Sequence, residues 1–275
     1  MNGKGTRMKR VTALVTVAFA ALVLGAGFAL AQTGDAVADG NGHPNVGALL
    51  MPRADGSLRI ICSGTLISPR VFLTASHCTS FEEENGFTRS YVTFDPNFGT
   101  DPNHDIFSTP YVGTIVTNPA YKPPYHSDVS LILLDQPVSG LTPAQIAPLH
   151  LLEELKQAHA LNDLDYTNVG YGTSEQVVVK GAGPTFPFDG IRKVTVSGYH
   201  ALDQQFIHLD QNLARGLSGT GYGDSGGPTF IETPSGPVVI SVVSTGDAPL
   251  YSTSVNTRVD TDAAQDFLAP YLALH

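Results

Sequence analysis

The chain has no tryptophan, 2 cysteines and 3 methionines among 275 residues, and only 15% of it is charged. Two cysteines exclude a fold held by a disulfide framework, and two alone make a weak metal site. Basic residues are scarcer than acidic ones, 15 against 25, for a net charge of −10. A chain with no basic surplus has little with which to neutralise phosphates. Nucleic acid and anionic membrane surfaces are therefore excluded as expected partners. There is no internal repeat and no low-complexity tract.

One apolar run, Val11 to Leu30, approaches the length of a membrane span. It follows Lys4, Arg7, Lys9 and Arg10 and ends at Ala29-Leu30-Ala31. A basic start, an apolar stretch and an A-x-A site make a secretory signal peptide. A membrane anchor is the competing reading; the small-residue site and the polar chain from Gln32 favour cleavage. Residues 1–31 are expected to be removed and the protein to be secreted, with no membrane association afterwards. Removal takes four basic residues and no acid, which deepens the acidic excess. The remaining chain, roughly 240 residues, suits one large all-β domain. Its 28 glycines and 19 prolines suit many short strands and turns. Export also makes Cys62 and Cys78 expected disulfide partners. Their loop is short, and closing it contributes about 3 kcal/mol in the chain-entropy picture.

What stands out in this background is Gly221-Tyr222-Gly223-Asp224-Ser225-Gly226-Gly227-Pro228. A serine hydroxyl is a poor nucleophile at neutral pH. It needs a base beside it and donors aimed at the developing oxyanion. Glycines around Ser225 let the backbone approach a substrate and leave the turn in conformations closed to most residues. Gly223, Ser225 and Gly227 also satisfy G-x-S-x-G, the elbow that leads from a strand into a helix with its histidine downstream. Here Pro228 and strand-like Thr229-Phe230-Ile231 follow, and the only later histidine is the terminal His275. The base must lie upstream.

Two upstream segments supply candidates. Leu73-Thr74-Ala75-Ser76-His77-Cys78 ends in a histidine beside a cysteine, after strand-like Leu66-Ile67 and Val71-Phe72-Leu73 around a Ser68-Pro69-Arg70 turn. His126-Ser127-Asp128-Val129-Ser130-Leu131-Ile132-Leu133-Leu134 puts a carboxylate just before an apolar strand. A buried carboxylate needs a partner, and orienting an imidazole is one such role.

These three segments resemble the base, acid and nucleophile motifs of the trypsin/chymotrypsin family of serine peptidases, in that family's order. Further segments are similar to it: Thr167 to Thr173, with Tyr171 at a usual tryptophan; Val238 to Gly246; and Val255 to Val259. The resemblance spans roughly residues 43 to 275 and points to a bacterial-type secreted member. It implies an all-β fold of two six-stranded antiparallel barrels with a C-terminal helix. The first barrel is expected at about 43–140, a connection at about 141–162, the second barrel at about 163–260 and the helix at about 262–274. Phe267, Leu268 and Leu272 are its expected inward face. Leu149 to Ala160 should hold a short helix.

The resemblance also implies roles. His77, Asp128 and Ser225 would be catalytic, and Gly223 and Ser225 would supply the oxyanion N–H groups. Gly219 would lie at the pocket floor, beside Thr220, with Ser254 narrowing the wall. Ser244, Thr245 and Gly246 would pair with an extended substrate backbone. A polypeptide substrate, a monomer, and no cofactor or metal are expected. A secreted binding protein on an inactive protease fold and an esterase with the same triad are the alternatives. The acidic run Glu82-Glu83-Glu84 is read as a solvated loop between Phe81 and Gly86 rather than a calcium loop. Gly181 to Gly190 reads as a loop.

The chain departs from the family pattern in four places. The usual Ile- or Val-led N-terminal sequence is absent, the cysteine pair that braces the pocket is missing, Thr245 stands at a usual tryptophan, and the floor position is Gly219. The first departure leaves Asp224 without the inserted amine that normally pairs with it. An unusual N-terminal cut or an internal donor must supply its partner, and an internal donor is favoured.

Overall fold

Runs of alternating β-branched and polar residues, broken by Gly and Pro, form sixteen strands in the computed structural model, which describes residues 32–98, 109–181 and 183–274. The expected signal segment lies outside these residues, as does part of 95–110, a stretch whose Pro, Asn and Asp content predicts a surface loop. After the two-residue strand β1 (Val37–Ala38) come β2 (Val46–Pro52), β3 (Leu58–Ser68), β4 (Val71–Thr74), helix α1 (Ser76–Glu84), β5 (Arg89–Thr93), β6 (Tyr111–Val116) and β7 (Ser130–Leu134). Strands β2 to β7 pair antiparallel in the order β2-β3-β4-β7-β6-β5, and β2–β5 pairing closes the barrel. Closure satisfies both edges of every strand. Leu49, Leu66, Phe72, Val92, Ile132 and Leu134 fill it.

The second half begins with β8 (Gln145–Ile146) and α2 (Leu151–Gln157). Then come β9 (Tyr166–Gly170), β10 (Val177–Val179), β11 (Gly183–Thr185), β12 (Lys193–Leu202), β13 (Phe206–Asp210), β14 (Pro228–Thr233), β15 (Gly236–Gly246), β16 (Thr253–Arg258) and α3 (Asp262–Leu272). Six of these strands close a second antiparallel barrel, β9-β12-β13-β16-β15-β14. Strand β1 extends it beside β12, and β8 runs parallel to β15. A shared apolar cluster joins the barrels: Val46, Leu73 and Leu131 from the first meet Val169, Phe230 and Val242 from the second, with Leu268 of α3. The expected all-β fold of two six-stranded barrels and a terminal helix is the fold observed.

Three local expectations are corrected. Residues 81–84 are not a loop but the last turn of α1, because Cys78, Thr79 and Glu82 share a face buried against the barrel. The Gly181–Gly190 segment is not wholly loop: Val177–Val179 and Gly183–Thr185 form a small exposed hairpin. Helix α3 buries Ala264 and Leu268, with Phe267 packed beside them, whereas Leu272 lies beyond Pro270 at the exposed end. Among the described residues no helix is long and apolar enough to cross a membrane.

Candidate active site

His77 sits in the first turn of α1, directly before Cys78. Cys78 is joined to Cys62 of β3 by a disulfide, Cα to Cα 6.4 Å. The backbone that carries the imidazole is thereby tied to the barrel wall. Asp128, just ahead of β7, is fully buried and spends both oxygens on His77. Oδ1 accepts from the His77 backbone N–H at 2.7 Å, and Oδ2 lies 2.8 Å from Nδ1. An ionised carboxylate only accepts, so Nδ1 carries the proton and Nε2 presents its lone pair. The Tyr125 ring meets the imidazole edge-on at 5.5 Å and limits its tilt.

Ser225 lies on the turn that leads into β14, in the second barrel. The turn runs through Gly223 at φ 103 and Gly226 at φ 78, backbone that a side chain would strain. Ser63, one residue after Cys62, reaches across from the first barrel to fix it. Ser63 Oγ donates to the Gly223 carbonyl at 2.9 Å, and Ser63 N–H donates to the Ser225 carbonyl at 2.8 Å. Tyr171 N–H in turn donates to Ser63 Oγ at 3.0 Å. With the carbonyls held, the N–H groups of Gly223 and Ser225 are left with no protein acceptor among the described residues. Two free N–H groups beside a serine are what an oxyanion requires. Ser225 and His77 line the same two clefts, but Ser225 Oγ makes no hydrogen bond among the described residues. Contacts of this kind are often open before substrate binds.

Asp224 is buried beneath this turn. Its Oδ1 accepts from Gly172 N–H at 2.8 Å and from the Gln32 side-chain amide at 2.6 Å; its Oδ2 accepts from Gly221 N–H at 2.7 Å. Burial pushes its pKa up to about 6, although all three donors favour the ionised form. The carboxylate fills the space over β9: a Cβ at Gly170 or Gly172 would lie 2.3 or 2.2 Å from one of its oxygens. That steric demand accounts for the Gly-Tyr-Gly pattern. Tyr171 between them is fully buried, its hydroxyl donating to the Asp95 carbonyl at 2.7 Å.

The N-terminal segment is anchored in the same region. Arg192 is fully buried and donates to Asp39 Oδ2 at 2.8 Å and to the carbonyls of Val46, Gly40 and Phe94. Burial opposes ionisation of Asp39, but His43 and Arg192 outweigh it and hold its pKa at about 2. Neither Arg192, Asp39 nor Ser63 carried a sequence signal; each matters only through contacts with distant residues.

Two clefts meet at His77, Tyr222 and Ser225. The larger, about 730 Å³, runs along the disulfide side and is walled by Ile60, Ile61, Phe81, Phe98 and Phe188, with Arg53 and Arg59 at its rim. The smaller, about 320 Å³, is bounded by Thr220, Ser244, Thr245 and Gly246. Of the expected pocket residues, Gly219 and Ser254 stand behind this cleft rather than on its wall. Gly219 is bridged to Thr33, and a Cβ there would strike Gln211 at 2.2 Å. Ser254 Oγ lies 2.8 Å from Thr220 Oγ and braces it. Asp247 also borders the cleft. Burial works against its charge, but the N–H groups of Tyr251, Thr253 and Ser252 prevail and keep its pKa lowered.

No metal site emerges from the described residues nearest the centre. Cys62, His77 and Cys78 gather ligand-type atoms within 4.8 Å, but disulfide sulfurs are not thiolates. Glu82, Glu83 and Glu84 do not converge either. They face Ser90, Thr117 and Ser80 respectively.

A double barrel with a buried carboxylate–histidine pair facing a serine turn defines the class of the chymotrypsin-like serine hydrolases. The chain matches the family model for trypsin over residues 33–265 and belongs to that family, whose members are serine-type peptidases. No curated protein matches it.

Proposed function

We propose that the protein is a secreted serine endopeptidase that cleaves polypeptides through an acyl-enzyme. The observation that carries this reading is the Asp128–His77 pair, closed at 2.8 Å, on a cleft wall shared with Ser225. Ser225 Oγ attacks the carbonyl carbon of the scissile peptide while its proton passes to His77 Nε2. Asp128 holds the resulting imidazolium. The oxyanion lies between the Gly223 and Ser225 N–H groups, His77 returns its proton to the leaving amine, and water reverses the sequence to free the acid. Apart from the hydrolytic water, the groups that act in these steps are side chains and backbone N–H groups of this chain.

Clefts on both sides of Ser225 suit a chain that continues past the cleaved bond in both directions, which favours a polypeptide over a small ester. Apart from His77 and Asp247 the smaller cleft is walled by uncharged residues, and Asp247 is already engaged by three backbone N–H groups. A buried basic side chain needs a charge partner, so preference for an uncharged residue before the cleaved bond follows. The purified protein should cleave casein, and Ser225→Ala should abolish cleavage. Casein cleavage undiminished in Ser225→Ala would refute the mechanism. Ester hydrolysis without protein cleavage would support the esterase reading, and neither activity would support a binding protein. Peptide-library profiling tests the preference, which dominant cleavage after Arg or Lys would overturn.

A further inference from the structure

The carboxylate beneath the oxyanion turn is held by an uncharged side chain from the far N-terminal end of the described chain. Gln32 is completely buried, and its Nε2 donates to Asp224 Oδ1 at 2.6 Å across 192 positions of sequence. Its own Oε1 has no partner among the described residues, nor has the neighbouring Thr33 Oγ1. The orientation of the amide is nonetheless decided by charge, because Oε1 turned toward the carboxylate would set acceptor against acceptor. A buried amide with one unanswered end is costly. The bond to Asp224 is its only compensating polar contact among the described residues.

The residues after it are shaped to deliver it. Gln32 and Gly34 both adopt left-handed backbone, φ 74 and 75, which turns the chain sharply into the interior. A Cβ on Gly34 would meet Leu213 at 2.3 Å, so only glycine passes there. Thr33 forms a two-way bridge with Gly219: its N–H donates to the Gly219 carbonyl at 3.3 Å, and its carbonyl accepts from the Gly219 N–H at 3.4 Å. The Gly34 N–H reaches Glu175 Oε2 at 3.4 Å. The segment thus touches the chain behind the smaller cleft at Gly219 and the serine turn at Asp224 together.

We infer that Gln32 is a positioning residue for catalysis: its carboxamide holds Asp224, and through Asp224 the Gly221–Ser225 turn, so that the oxyanion N–H pair is ordered without a charged N-terminal amine. The inference rests on the serine-peptidase reading. An amide neither titrates nor requires a newly cut chain end, so the turn is ordered in any form of the chain that retains Gln32 intact. The other charged groups facing this site are Lys193 of β12, which is paired with Asp189, and Glu175.

The test measures phosphonylation of Ser225 by a fluorophosphonate across pH, on the secreted chain and on a form extended before Gln32 that has no free amine there, with folding checked by circular dichroism. Gln32→Ala removes a hydrogen bond to a buried charge and should slow labelling about 10- to 100-fold. Gln32→Glu preserves the volume but sets two carboxylates face to face. Its labelling should be depressed at pH 8 and recover toward the parent rate near pH 5.5, where the introduced carboxyl is protonated and can donate. The rate at each pH is read as a ratio to the parent, so that effects common to both proteins cancel. If Gln32→Ala does not fold, the pH-dependent ratio of Gln32→Glu to parent labelling carries the test. Parent-like rates and profiles in both variants would overturn the inference, whereas a parent that is not labelled at Ser225 would overturn the peptidase reading instead. An active chain bearing a pyroglutamyl ring at position 32 would also overturn the inference, because cyclisation expels Nε2 as ammonia.

Discussion

The two walls of the catalytic cleft are braced in different ways. The histidine wall is tied covalently: Cys62–Cys78 pins the start of α1 to β3, and Asp128 closes on His77 through both oxygens. The serine wall has no cross-link. Its turn is suspended from Asp224 and Ser63 by hydrogen bonds from Gln32, Gly172, Gly221 and Tyr171. The difference follows from what each wall must present. A base needs one ring held by one partner. An oxyanion site needs two backbone N–H groups left unpaired, so the chain there cannot be fixed by a strand ladder, and a network beneath it must do so instead.

The largest expected effect falls on both walls together. Ser225→Ala and His77→Ala should each lower kcat by about six orders of magnitude and Asp128→Asn by about four, the scales usual for Ser-His-Asp triads. Combining them should lower it little further, because the three act as a unit. Additive losses in single-turnover kinetics would show that they do not. Next comes the serine wall alone. In Asp224→Asn one end of the amide must face a backbone N–H as a donor. The turn should loosen and kcat fall about 10²- to 10³-fold, the scale of a lost oxyanion donor, with KM less affected. A raised KM with kcat intact would place Asp224 in pocket formation instead.

The third prediction concerns the histidine wall. Replacing both Cys62 and Cys78 by Ser should lower unfolding free energy by about 3 kcal/mol, while kcat at 25 °C changes less than tenfold, since Asp128 still orients His77. Urea denaturation and active-site titration measure the two quantities. A collapse of kcat in protein that remains folded would mean that the disulfide, rather than Asp128, sets the imidazole.

Much of this site could be read from the sequence because its motifs are local. Glycines at 223 and 226 answer a turn that only a few residues span, and an aspartate ahead of Val129-Ser130-Leu131 marks a carboxylate about to be buried. Individual strands could be read for the same reason, whereas the two-barrel arrangement is implied by the resemblance of these motifs to the trypsin/chymotrypsin family. What could not be read depends on contacts across the chain. Gln32 follows an apolar leader-like run and gives no sign that its amide will meet Asp224. Ser63 looks like any serine in a strand, and Arg192 like a surface arginine, until the barrels come together around them. Glu82 sits in a run of three glutamates that reads as solvated; only the helical spacing turns it inward, toward Ser90.

Glu82 gives the smallest and last prediction, and it sharpens the comparison between the walls. Each wall of the cleft carries a buried carboxyl outside the triad, Glu82 on α1 and Asp224 beneath the serine turn. Among the described residues Asp224 has three N–H donors, whereas Glu82 has only the Ser90 hydroxyl at 2.8 Å, and its Oε2 has no partner. Burial, reinforced by the charge of Glu83, pushes the Glu82 pKa from 4.5 to about 7 despite the Ser90 bond. A carboxyl whose pKa rises on folding favours the native state in its neutral form. That contribution is complete below about pH 4.5 and is lost as pH rises through about 7. Glu82→Gln keeps an acceptor for Ser90 and cannot ionise. Between pH 5 and pH 8 the stability of Glu82→Gln relative to the parent should therefore rise by on the order of 1–3 kcal/mol. Urea denaturation at several pH values measures this. Parallel curves for parent and variant would mean that Glu82 stays ionised in the fold, and that the histidine wall harbours no carboxyl less well served than Asp224.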